Sequence, residues 1–178
     1  MTERAGPGSG RRIVLLRHAK AGPPDSGPDA DRGLSQRGQR DAVAAGQWLA
    51  EQGLRPDVVI CSPASRTRQT WAGVARSLGG APPQVRYEPA VYGGSAGRLL
   101  KLIRAVDPAT GTVLLIGHNP TITDLSDLLL PSQGSDPAGM DQPYGLRTSG
   151  LAVHRFEGDW AGLAAGTAPV QTRHTARG

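Results

Sequence analysis

Arg17-His18 follows directly on the apolar run Ile13-Val14-Leu15-Leu16, and His118 follows on Val113-Leu114-Leu115-Ile116-Gly117. An imidazole nitrogen beside a guanidinium is a nucleophile beside an oxyanion clamp, a pairing suited to accepting a phosphoryl group. A third segment, Cys61-Ser62-Pro63-Ala64-Ser65-Arg66, adds a second arginine at the end of another apolar run. Two planar forks and an in-line nitrogen match a phosphoryl group better than a metal ion. A divalent cation would want carboxylates where this chain places arginines. No metal and no cofactor are therefore expected.

Meeting in one site requires these segments to share an edge. Short continuous runs of β-favouring residues read as strands buried on both faces of a parallel sheet, and ligands collect at the carboxyl ends of such strands. Strands are expected near 13–16, 58–61, 84–87, 112–116 and 151–156. Helices are expected from Ser35 to Gly53, 64–78, 96–106 and 121–130, with Ser35 as an N-cap and Gly79-Gly80 as a stop. Arg66 then falls in the first turn of its helix, and the helix after Pro120 points its positive dipole end at the same edge. The alternation predicts an α/β fold, a three-layer α/β/α sandwich on a mainly parallel sheet with one antiparallel edge strand, 151–156.

Composition narrows the class. The 178 residues suffice for one ordinary domain, expected over 12–166, with flexible tails at 1–11 and 167–178. The 25 Gly and 15 Pro gather in loops such as 19–33 and 131–149. No apolar stretch approaches the roughly 20 residues that span a bilayer, and the amino terminus lacks a secretory signal pattern, so a cytoplasmic protein without a membrane partner is expected. Arginine supplies nearly all of the +5 formal charge, but the arginines are dispersed and aromatics are few, which argues against nucleic acid. The lone Cys61 reads as a core residue. Asp31 and Arg32 read as a loop-ordering pair and Asn119 as a turn residue, while Arg68, His154 and His174 carry no expected chemistry.

Arg17-His18-Ala19, Ser62-Pro63-x-x-Arg66-x-x-Gln69-Thr70 and Gly117-His118-Asn119, in this order, resemble the histidine phosphatase superfamily, whose fold is shared with the cofactor-dependent phosphoglycerate mutases. Leu16-Arg17-His18-Ala19-Lys20-Ala21 and Asp31-Arg32-Gly33-Leu34-Ser35-Gln36-Arg37-Gly38 are similar, more narrowly, to the small SixA-type phosphohistidine phosphatases. The resemblance spans residues 12–156. It implies that His18 is the nucleophile of a phosphohistidine intermediate, that Arg17 and Arg66 bind phosphoryl oxygens, and that His118 donates a hydrogen bond to the charge in transfer.

Many relatives in that superfamily also carry an acid that protonates the leaving group. Between Thr70 and Gly117 this chain offers Glu88 and Asp107 alone, which leaves Glu88 as the candidate proton donor. Imidazole leaves phosphohistidine with less help than an alkoxide leaves an ester. The short stretch between Arg66 and His118 also implies an open pocket. Together these favour phosphohistidine on a protein as substrate, with a sugar or metabolite phosphate as the alternative and an inactive phospho-binding module as a third reading.

Overall fold

The computed structural model describes residues 10–24, 26–131 and 145–178. Expectations for residues 1–9 and for most of the loop 131–149 therefore lie outside the described residues. Six strands form one sheet: β1 (Arg11–Arg17), β2 (Val58–Cys61), β3 (Gln84–Tyr87), β4 (Thr112–Gly117), β5 (Gly150–Phe156) and β6 (Val170–Thr175). Their spatial order is β3-β2-β4-β1-β5-β6. The first four are mutually parallel, β5 runs antiparallel to β1, and β6 runs antiparallel to β5.

The helices are α1 (Gln36–Glu51), α2 (Ser65–Leu78), the short α3 (Pro89–Gly93), α4 (Ala96–Arg104) and α5 (Thr121–Leu129). Alternate strand residues serve opposite faces. Val14, Leu16, Val59, Leu114 and Ile116 pack with Ala45 and Leu49 of α1 and Val74 and Leu78 of α2. Ile13, Leu15, Ile60, Val113 and Leu115 pack with Leu99 and Ile103 of α4 and Ile122 and Leu125 of α5. These strands are hydrophobic at every position because both faces are covered, and each fully buried aliphatic contributes roughly 1.5–3 kcal/mol.

Capping follows the expected chemistry at α1, where Ser35 Oγ accepts from Gly38 N at 3.0 Å. Close approach of α1 and α2 depends on glycine: a Cβ on Gly46 would sit 2.3 Å from the Val74 carbonyl oxygen. The tail assigned to 167–178 needs correction, because residues 170–175 form β6 on the antiparallel edge. Its inward residues include Val170 and its flanks Ala168 and Ala176 are buried, but such small side chains among Gln, Thr and Arg leave a weak alternation in the sequence. The short α3 was also not expected, and it matters for the site.

Candidate active site

The parallel strands end together, and their C-terminal edge gathers the candidate site residues. His18 leaves β1 with its N–H donating to Gly117 O at 3.0 Å, which ties the ends of β1 and β4 and sets His18 beside His118. The two ring centroids lie 5.1 Å apart. From the β2 end, Ser62-Pro63-Ala64 turns the chain into α2, whose second residue is Arg66. Arg17, His18, Arg66 and His118 line one cavity of about 470 Å³ together with Lys20 and Arg32. Glu88 starts α3 at the same sheet edge, where its N–H donates to Cys61 O, but it is not among the residues lining the cavity. No carboxylate lines it among the described residues.

His18 is almost wholly buried and its Nδ1 lies 2.8 Å from the Ala19 carbonyl oxygen. A carbonyl only accepts, so Nδ1 carries the proton and Nε2 keeps its lone pair. Burial pushes the His18 pKa down to about 4; the Ala19 carbonyl opposes this, and the charges of Arg66, Arg17 and Arg32 reinforce it. His118 is pushed down to about 3, first by burial and then by His18 and Arg66. Both rings are therefore neutral at pH 7 in the free protein.

Several neighbours that sequence reading missed hold this arrangement. Arg66 Nη1 donates to Asp29 O at 2.7 Å and Nη2 donates to Asp29 Oδ2 at 2.9 Å. Tyr92 of α3 donates its hydroxyl to the same Oδ2 at 3.1 Å and meets His118 edge-on at 5.4 Å. These contacts, Arg66 first, hold the Asp29 carboxyl below the usual carboxylate range. Arg32 pairs with Asp29 at 3.1 Å, so the loop-ordering partner is Asp29 rather than Asp31. Ser62 Oγ lies 2.8 Å from His118 Nε2. Asp29 sits in a Gly/Pro/Asp loop without periodicity, which hid it; the Ser62-Pro63 turn was the one available signal for Ser62.

Asn119 lines the cavity as well as the turn, and His174, expected in a flexible tail, stands in β6. Asn119 closes the turn, accepting from Thr123 Oγ1 at 2.8 Å and donating to Leu146 O at 2.9 Å; Arg17 Nη1 donates to that same carbonyl at 3.0 Å. Cys61 is buried in the core and its thiol is pushed up to about 12. His154 is buried in β5 between Ser126 and the Ala168 carbonyl, His174 stacks on Trp48, and Arg68 lies over Tyr87 away from the cavity. No helix among the described residues is long and apolar enough to cross a membrane.

Residues 13–91 match the family model of the histidine phosphatase superfamily, branch 1. An uncharacterized protein of Mycobacterium tuberculosis is 37% identical over 163 residues, which is 91% of this chain and 100% of the relative. A structure from Nakamurella multipartitia assigned to phosphohistidine phosphatase SixA is 37% identical, covers 98% of this chain and 99% of its own, and superposes with a TM-score of 0.82. One from Agrobacterium tumefaciens with the same assignment is 34% identical, covers 83% and 92%, and superposes with a TM-score of 0.73.

Proposed function

The chain belongs to the histidine phosphatase superfamily and is SixA-like, and from that premise we propose that it dephosphorylates phosphohistidine on a protein through a phosphoryl-enzyme intermediate on His18. The observation that carries this reading is the Nδ1–H of His18 donating to the Ala19 carbonyl, which leaves an unprotonated Nε2 in a cavity shared with three arginines, Arg17, Arg32 and Arg66.

In the first step Nε2 attacks phosphorus in line and the P–N bond of the substrate breaks. The substrate imidazole, already protonated on its other ring nitrogen, leaves neutral. Phosphorylated His18, still carrying its Nδ1 proton, is cationic, and the Ala19 carbonyl stabilises that charge. Arg17 and Arg66 bind the equatorial oxygens and His118 donates to the charge in transfer. Water then attacks phosphorus, giving one of its protons to the released phosphate, and His18 leaves in its starting tautomer.

The substrate class rests on the absence of a carboxylate from the cavity lining among the described residues. With no acid among the described lining residues, a leaving group that departs as a neutral amine is favoured over an alkoxide. Sugar and metabolite phosphates are the alternative substrates. Turnover of a phosphohistidine-bearing protein compared with a panel of sugar phosphates separates the two: the phosphoramidate is expected to be preferred in kcat/KM, and preference for a sugar ester would overturn the substrate assignment.

A further inference from the structure

Ser62 is wholly buried, and its hydroxyl has one proton to place. Ser62 Oγ accepts from Ala64 N at 3.3 Å, and the acceptor within its reach among the described residues is His118 Nε2 at 2.8 Å. The Ser62 main chain is committed separately: its N–H donates to Ile116 O, and its carbonyl accepts from Thr67 Oγ1. The side chain is thus a relay between one fixed donor and one ring nitrogen.

Two neutral tautomers of His118 are compatible with that distance, and they differ in what they leave unpaired. With the proton on Nε2, buried Ser62 Oγ receives two N–H groups, and among the described residues its own hydroxyl proton has no acceptor and the Nδ1 lone pair has no donor. An orphaned buried donor costs about 1–3 kcal/mol. With the proton on Nδ1, the Ser62 hydroxyl donates to Nε2 and accepts from Ala64, so the Nδ1–H is the one group left unpaired, against two in the other tautomer. His118 Nδ1 is buried and has no hydrogen-bond partner among the described residues.

We propose that Ser62 is a positioning residue: it locks His118 in the Nδ1–H tautomer and so reserves that N–H as the donor to the phosphoryl group. The role in catalysis rests on the phosphatase reading given above; the tautomer does not. In effect the two site histidines are protonated on the same ring position by different devices, His18 by a backbone carbonyl that accepts and His118 by a hydroxyl that donates. A bare lone pair at His118 Nδ1 would repel an anion that an N–H attracts.

Long-range ¹H–¹⁵N correlation spectra of the full chain at pH 7 test the tautomer directly. His118 is expected to show a pyrrole-type Nδ1 and a pyridine-type Nε2, with Ser62→Ala shifting it toward a mixture and Ser62→Thr retaining it. An Nε2–H tautomer in the unsubstituted protein, or one unmoved by Ser62→Ala, overturns the proposal. Should Ser62→Ala fail to fold, the spectrum of the unsubstituted protein decides alone. With an aryl phosphate, Ser62→Ala is expected to lower kcat about 10-fold with little change in KM, and Ser62→Thr to restore it. Absence of any turnover by the unsubstituted protein would count against the phosphatase reading while leaving the spectroscopic result to stand.

Discussion

Asp29 grips Arg66 at both ends of its guanidinium, with the backbone oxygen taking Nη1 and the carboxylate taking Nη2. An anion thus stands next to the cavity proposed to bind an anion. Asp29→Asn keeps both acceptor types, so Arg66 stays in place, but removes the opposing charge. Inorganic phosphate is expected to inhibit this variant about 2–10-fold more tightly at low salt, an effect that fades as salt screens it. Weaker inhibition would show that the carboxylate charge is needed to orient Arg66.

His18→Ala removes the proposed phosphoryl acceptor and should lower kcat by a factor on the order of 10³ or more. Rapid-quench labelling with a radioactive substrate should trap an acid-labile phosphoryl protein in the unsubstituted chain and none in the variant. Label retained by His18→Ala would move the nucleophile elsewhere.

Glu88 is not among the residues that line the cavity, so Glu88→Gln should leave phosphohistidine turnover within about threefold of the unsubstituted protein. A large loss confined to kcat would restore Glu88 as the proton donor.

The two neutral histidines couple stability to pH. Their folded pKa values, about 4 for His18 and about 3 for His118, lie below the ordinary 6.5. Between those limits the unfolded chain binds more protons than the folded one, so stability is fully present above about pH 6.5 and falls as the pH drops toward 4. His18 alone contributes on the order of 3 kcal/mol to that loss. Denaturant midpoints at pH 7.5, 6 and 5 should decline, and His18→Ala should flatten the slope. Imidazole resonances titrating near 6.5 in the folded protein would contradict the burial argument.

Gly46→Ala places a methyl against the Val74 carbonyl, forcing α1 away from α2. Overpacking of this kind costs about 1–3 kcal/mol, read as a lower denaturant midpoint at unchanged slope. A neutral effect would mean that the helix pair yields easily.

Local pattern was enough to read the strand ends, and with them Arg17, His18 and His118. A doubly covered strand must be apolar at each position, so the first polar residue after the run marks the functional edge, as Arg17 does after Leu16, with His18 next to it. Arg66 was legible through the same logic one helical turn later. Asp29, Ser62 and Tyr92 were not, because their roles are pairings with residues far along the chain: 37 positions separate Asp29 from Arg66 and 56 separate Ser62 from His118. Nothing in a loop's composition states which distant donor its carboxylate will meet. Likewise β6 escaped notice because its stability comes from pairing with β5 rather than from its own Val-Gln-Thr-Arg-His-Thr alternation. Sequence alone determined which groups could do chemistry and on which edge they stand, since burial acts on each residue locally. Tertiary structure alone decided which partner each imidazole meets and which charge faces Arg66, since those depend on groups that only packing brings within hydrogen-bond reach.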